Sequence, residues 1–380
     1  MIYLDNAATS YPKPACVGRE LTRSLRVYPG NPGRSGHKLS LAAAECVYRT
    51  RCVVRDLLHA ETEEQIVFSQ NATFAINTIL RARLVPGMHV LMSDVEHNAV
   101  FRPLHRLKED GLITYSIFPH EDLTEETLSN MVTRATKMLL CTHISNVTGV
   151  VLPVEMIARF CRKNGIYCIL DASQSIGHRE VDVRRIPCDA LCAPGHKGLL
   201  GIQGSGILYL RNGDGIRDVF QGGSGADSLS PYMPAYLPDR LEPGTLSTPA
   251  IGALGASVSW LLKHGIASIE TKERDFATHM HQLLRSIPEI ELYSEATSGI
   301  TAFRLTGESS DETAAALDAA GICVRGGLHC APLAHRTLGT LDTGLVRLSC
   351  GPFSTRAQAN AVARKLRDYL KTRENRKTGG

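Results

Sequence analysis

The chain has 380 residues, 43% hydrophobic and 21% charged, the balance of a globular protein and not of a disordered one. At roughly 150 residues per domain, two or three domains are expected, enough to bury about three quarters of the unfolded surface without a staple. Forty-two basic residues against 38 acidic ones leave a net charge of +4, too even to mark a nucleic-acid or membrane partner. One tryptophan and 6% aromatics supply no base-stacking surface.

The N-terminal residues Met1-Ile2-Tyr3-Leu4-Asp5-Asn6 carry no basic region and no long apolar region. No apolar run approaches the roughly 18 residues of a membrane span. From about residue 40 helical and strand patterns alternate. Apolar residues at 47, 54, 57 and 58 predict an amphipathic helix over 41–58. Strands are expected at 66–68, 89–92, 113–118, 137–142, 167–171, 190–193 and 206–210, with helices opening after Ser69 and over 100–109 and 153–163. Thr124, with Glu125 and Glu126 behind it, opens another helix in a capping-box pattern. Continuously apolar strands joined by helices imply a parallel sheet covered on both faces. Residues 212–249 are dense in Gly, Pro and Ser and predict a long functional or interface loop. Helices follow at 251–264 and 266–287. An α+β pattern then runs through strands near 290, 301–305, 322 and 345–349 and helices at 311–320 and 355–372. The expected division is an N-terminal segment 1–20 packing near the small domain and active site, a large domain 21–249, a small domain 250–370 and a flexible basic tail 371–380.

The eleven cysteines are odd in number and form no C-x-x-C pair. Most lie in apolar runs such as Tyr167-Cys168-Ile169-Leu170, where the thiol serves as a small buried hydrophobe. A reducing, cytoplasmic setting is expected, with no disulfide framework.

The segment Ala193-Pro194-Gly195-His196-Lys197-Gly198 places a lysine in a turn just after a buried strand. Desolvation penalises its ammonium, and such an amine can attack an aldehyde; a solvated loop lysine is the plainer alternative. Asp171 ends an apolar strand, where α/β sheets bind ligands, and a carboxylate there can hold a pyridine nitrogen protonated or simply cap a helix. Thr73, in Ser69-Gln70-Asn71-Ala72-Thr73, sits at a helix start suited to a phosphate; Asn71 or Thr73 as a plain N-cap is the competing reading. His97 follows the next strand and can stack on a flat ring and move protons. Asn146 follows another and can bond a phenolic oxygen or a carboxylate. All five residues follow strands of one sheet, and this joint placement decides for a site over five separate loop residues. The glycines of 201–206 precede a strand and open no helix, so they are no dinucleotide fingerprint.

With these motifs in place the sequence resembles the class V aminotransferase family of fold-type I pyridoxal-phosphate enzymes, within it the cysteine desulfurases and selenocysteine lyases. The resemblance runs from Tyr3-Leu4-Asp5-Asn6-Ala7-Ala8-Thr9 to Arg347-Leu348-Ser349, through Glu96-His97-Asn98, Ser145-Asn146, Asp171-Ala172-Ser173-Gln174 and Gly195-His196-Lys197. It implies an α/β fold with a mainly parallel sheet and a smaller α+β C-terminal domain, pyridoxal 5'-phosphate as cofactor, no metal, and a homodimer. By the same resemblance Lys197 carries the cofactor and Asp171 pairs with its ring nitrogen. Gln174 contacts the ring hydroxyl, and His97 stacks and serves as acid and base. Ala72, Thr73 and His196 line the phosphate site, and Thr245 reaches the phosphate of the partner subunit. Family members often carry hydroxyl residues where Pro194 and Ala72 stand here. The loop Arg34-Ser35-Gly36-His37 resembles one that lies over the family's active site, and 222–225 reads as a subunit-contact loop.

Arg325-Gly326-Gly327-Leu328-His329-Cys330-Ala331-Pro332 narrows the reaction. Cys330 has no apolar run around it, and positive neighbours favour its thiolate. The stretch resembles the short-loop desulfurases, whose matching cysteine accepts sulfur as a persulfide. Arg347 matches the arginine that clamps a substrate carboxylate, with Asn146 and Arg325 beside it; a planar guanidinium suits that task. The expected activity converts L-cysteine to L-alanine and passes sulfur to an acceptor protein, with iron–sulfur assembly among the destinations. The alternatives are a selenocysteine lyase acting on L-selenocysteine, another C–S lyase, a class V aminotransferase, and, against the intact site set, a non-enzymatic sulfur carrier.

Overall fold

A computed structural model describes residues 1–33, 35–226 and 228–378, with side chains to residue 374. Arg34, singled out in the N-terminal loop, lies outside the described residues. In chain order the elements begin β1 (Ile2–Tyr3), α1 (Ala15–Val27), α2 (Lys38–Leu58), β2 (Ile66–Ser69), α3 (Ala72–Arg83), β3 (Met88–Ser93), α4 (Asn98–Glu109) and β4 (Ile113–Phe118). They continue α5 (Glu125–Met131), β5 (Thr136–Thr142), α6 (Val154–Lys163), β6 (Tyr167–Asp171), β7 (Ala190–Pro194) and β8 (Gly206–Leu210). Beyond the long loop come α7 (Thr248–His264), α8 (Ile266–Arg285), β9 (Ile290–Leu292), β10 (Ile300–Leu305), α9 (Ser310–Ala319), β11 (Ile322–Cys323), α10 (Pro332–Thr337), β12 (Val346–Ser349) and α11 (Arg356–Thr378).

The chain divides into two units. One holds Lys13–His143 and Leu152–Ile266, the other Met1–Pro12, Ile144–Val151 and Ala267–Gly380. The division therefore falls at 266, not at 249 as the loop composition suggested. The reason is α7, which packs on α1 and α2. A Cβ on its Gly252 would lie 3.0 Å from Cys46 Sγ, and one on Gly255 would run into Thr50. Two side chains of hydrogen thus let this helix lie close against α2. The tail expected to fray continues α11 as helix to Thr378.

In the larger unit seven strands form one sheet in the order β2-β8-β7-β6-β5-β3-β4. Strands β3 to β7 pair in parallel, because each is joined to the next by a crossover long enough to return to the same edge. β8 runs antiparallel to both β7 and β2. Residues 195–205 between β7 and β8 hold no helix, so the chain turns straight back, and the sheet is mainly, not wholly, parallel. Its central strands are buried on both faces; Leu139, Leu140, Ile169, Leu191 and Cys192 are fully covered. Thr124 caps α5 by accepting from the N–H of Thr127 at 3.1 Å. With Thr at the third position no carboxylate returns the bond, so the capping box is only half made.

The smaller unit has an antiparallel sheet β12-β10-β9 and a parallel pair β1-β11. Leu4, Phe276, Met280, Leu284, Phe303, Leu317, Ile322, Val346 and Leu348 form its core. The pairing of Ile2 with Ile322 draws the N-terminal strand into this unit. No helix among the described residues is long and apolar enough to cross a membrane.

Candidate active site

Within the larger unit the carboxyl ends of β2, β3, β5, β6 and β7 share one edge, as their common direction requires. Asp171 closes β6 and is 3% exposed. Its Oδ1 accepts from the N–H of Ser173 at 2.9 Å. Burial pushes its carboxyl upward, while the Ser173 bonds and the charge of Lys197 pull it back toward the anion. Lys197 thus lies close enough to Asp171 for its charge to be felt there.

Lys197 stands in a turn that the backbone fixes closely. Gly195 donates to the carbonyl of Ser205, Gly201 to that of Gly195, and Leu200 to that of Lys197, each at 2.8 Å. A Cβ on Gly198 would strike the carbonyl oxygen of Ile176, and one on Gly177 that of Gly198. The turn bearing Lys197 and the turn after Asp171 therefore interlock, backbone on backbone. Gln174 lies buried in the second of these turns. His196 is half-buried beside Lys197; burial, Lys197 and Lys13 hold its pKa down to about 4. Lys13 donates to the His196 carbonyl at 2.8 Å, and burial lowers its own pKa to about 8.

On β2's side Asn71, not Thr73, caps α3: its side chain accepts from the N–H of Phe74 at 2.9 Å. The capping alternative holds for Asn71, and the exposed Thr73 hydroxyl is left to other work. The N–H groups of Ala72 and Thr73 open the helix, where intrahelical acceptors are lacking. His97 caps α4 by accepting through Nδ1 from the N–H of Ala99 at 3.0 Å, which leaves the proton of the neutral ring on Nε2. Thr245 is exposed and accepts from Asn31 Nδ2 at 3.2 Å.

In the smaller unit a second cluster gathers Asn146, Arg325, Cys330 and Arg347. The strand β12 carries Arg347, and the backbones of Arg325 and Arg347 exchange hydrogen bonds at 3.2 and 2.8 Å. Asn146 donates through Nδ2 to the carbonyl of His329 at 2.7 Å, and its own carbonyl accepts from Arg347 Nη1 at 2.9 Å. His329 and Cys330 both hold positive φ, 52° and 57°, a conformation that non-glycine residues adopt at a cost. The turn presents the thiol outward: Cys330 is the exposed one of eleven cysteines, all of them free. Arg325 Nη2 lies 3.7 Å from its sulfur. Buried thiols such as Cys141, Cys192 and Cys350 are pushed far upward by desolvation and are inert.

The site residues of the larger unit suit a phosphorylated aldehyde with a basic ring. They comprise an amine, a buried carboxylate within its electrostatic reach, and a helix start with free N–H groups. Reasoning from sequence gave no role to Asp5, Lys13 or Glu96, which bond to Arg347, the His196 carbonyl and the Thr142 N–H. Their signals were the motifs Leu4-Asp5-Asn6, Tyr11-Pro12-Lys13 and Glu96-His97-Asn98.

This arrangement defines a class. The model of the family Aminotransferase class-V matches residues 2–362, and the chain belongs to that family of pyridoxal-phosphate enzymes. A probable cysteine desulfurase of Methanothermobacter thermautotrophicus is 34% identical over 97% of this chain and 94% of its own. The apo structure of a cysteine desulfurase from Thermococcus onnurineus superimposes with a TM-score of 0.92 at 27% identity, covering 98% of this chain and 95% of that one. An Escherichia coli cysteine desulfurase, in an S-sulfonic acid form, gives a TM-score of 0.88 at 26% identity over 97% of this chain and 94% of that one.

Proposed function

We propose that this chain is a cysteine desulfurase that moves sulfur from L-cysteine to Cys330 and releases alanine. The observation that carries the reading is Cys330 itself: the exposed thiol among eleven, held in a left-handed turn beside the Arg325 guanidinium. Pyridoxal 5'-phosphate, when bound, supplies an aldehyde for the amino group and a ring that draws electrons from the bonds at Cα.

The chain's own residues divide the remaining work. Lys197 would hold the cofactor and would take the proton from the substrate's Cα. Asp171 would keep the ring nitrogen protonated, Gln174 would contact the ring hydroxyl, and His97 would stack on the ring and pass protons at Nε2. Ala72, through its N–H, Thr73 and His196 would hold the phosphate, and in a homodimer Thr245 would reach the partner's. Arg347 receives the substrate carboxylate, with Asn146 and Arg325 beside it. Its Nε is buried and has no acceptor among the described residues, a donor waiting for one. The Cys330 thiolate attacks the substrate sulfur. An S–S bond forms as the Cβ–S bond breaks, the electron pair left on Cβ takes a proton, and Cα recovers its proton from Lys197 to give alanine. Sulfur then passes to an acceptor thiol or protein. Eleven free thiols support a reducing, cytoplasmic setting.

The test is a product assay with L-cysteine and L-selenocysteine, with and without a thiol reductant. With the reductant, equimolar alanine and sulfide are expected, with no keto acid required. Cys330→Ala should keep the cofactor's visible absorption and lose cysteine turnover. Undiminished alanine from that variant overturns the role of Cys330. Dependence on a keto acid makes the chain an aminotransferase, and activity on selenocysteine alone makes it a selenocysteine lyase.

A further inference from the structure

Glu96 is fully buried, with 0% exposure. Its Oε1 accepts from the N–H of Thr142 at 2.7 Å and from the Ser93 hydroxyl. Its Oε2 is buried and has no hydrogen-bond partner among the described residues. Among the described residues no cation forms an ion pair with it, as the buried carboxylate of Glu242 does with Arg51 at 2.8 Å. Thr142 pairs in register with Asp171. Glu96 therefore reaches from the loop that carries His97 to the strand end beside Asp171.

We propose that Glu96 stands in the folded protein as an uncharged carboxylic acid that ties the His97 loop to the Asp171 edge and leaves Asp171 as the anionic carboxyl there. Two buried carboxylates at one edge cannot both ionise freely, and the structure distinguishes them. Asp171 has the Ser173 N–H and the charge of Lys197 in its favour. Glu96 faces Asp171 from β6 and the thiol of Cys141 from β5, neither of which favours its anion. Burial, and after it the charge of Asp171, lift its pKa to about 8 against the pull of the Ser93 and Thr142 bonds. Glu96 is a positioning residue in this account: it acts through Asp171 and His97. Its role rests on the proposed cofactor site, but its charge state does not.

The experiment therefore has a cofactor-free arm. The melting temperatures of the apo-protein and of Glu96→Gln, whose amide mimics the neutral acid, are followed from pH 5 to pH 8. A carboxyl with a raised folded pKa loses its contribution as pH rises through that window. The two proteins should agree at pH 5, and wild type should fall progressively below the variant by pH 8. A gap that stays constant across the window, with the variant lower throughout, shows an ionised Glu96 and overturns the proposal. In the loaded protein, Glu96→Gln should leave the pH titration of the cofactor's visible band in place. A shift of that titration by about one pH unit, the effect expected on losing a nearby charge, overturns the neutral form even where the cofactor site itself is sound. Should the chain bind no pyridoxal phosphate, the apo arm still decides the charge of Glu96.

Discussion

Arg347 and Asp5, 342 residues apart, form an ion pair in which Nη2 donates to Oδ1 at 2.9 Å. The arginine side chain is 1% exposed and the aspartate 21%. Desolvation disfavours the guanidinium charge and Asp5 restores it. The N-terminal segment thus holds in place the arginine that the proposed function needs. Removing one member of a buried pair leaves the other uncompensated. Asp5→Ala should lower the stability of the protein by about 3 kcal/mol in urea unfolding, with Asp5→Asn, which keeps an acceptor, losing less. Equal stability of all three proteins would show that Arg347 does not depend on Asp5.

The interlocked turns at Lys197 make a second prediction. Gly198→Ala drives a Cβ into the Ile176 carbonyl and to 2.6 Å from the His178 ring. Backbone cannot yield as a side chain tip does, so a loss of about 2 kcal/mol or more is expected, together with weaker pyridoxal-phosphate binding in an absorbance titration. Gly18→Ala is the control. Nothing lies within 4 Å of the added atom, and alanine in α1 should stabilise by up to about 1 kcal/mol. A harmless Gly198→Ala would mean the two turns do not lock each other.

Acid should destabilise the fold through buried histidines. Burial holds His143 and His329 at about 3 and His281 at about 4, against roughly 6.5 in an unfolded chain. Below pH 6.5 the unfolded state binds protons that the folded state refuses, so stability falls as pH drops toward 4. Each such histidine steepens the fall by up to about 1.4 kcal/mol per pH unit. Glu96 acts in the opposite sense between about pH 4.5 and 8 and offsets roughly one of the three. His281 is 2% exposed and remote in sequence from the cysteine turn. His281→Gln should flatten the pH dependence of the urea midpoint between 6.5 and 4.5. An unchanged slope would show that His281 is protonated in the folded protein.

The strands of the larger unit were legible because both faces are buried and the sequence between crossovers is continuously apolar. The carboxyl-edge placement of Thr73, His97, Asp171 and Lys197 followed from that alone. α1 was not predicted although Val17, Leu21 and Leu25 repeat at helical spacing; Pro12, Pro14 and Gly18 around its start obscured it. The short α10 left no period. Cys330 stood out because it follows a glycine pair and a histidine and, unlike the strand cysteines, lies in no continuous apolar run. The ion pair of Asp5 with Arg347 and the reach of Glu96 to Thr142 depend on contacts made only when distant strands meet, and no local pattern records them. The unit boundary was misplaced because the loop composition marks 249, whereas packing of α7 through Gly252 and Gly255 carries the larger unit to 266.

The central claim is that sulfur from cysteine arrives on Cys330. The holoenzyme should be mixed with one equivalent of L-cysteine without reductant, and its peptides mapped by mass under conditions that preserve persulfides. One added sulfur on the peptide containing Cys330, with an equal amount of alanine in solution, is the predicted result. Alanine formed with the added sulfur on another cysteine, or with none on the protein, would contradict it.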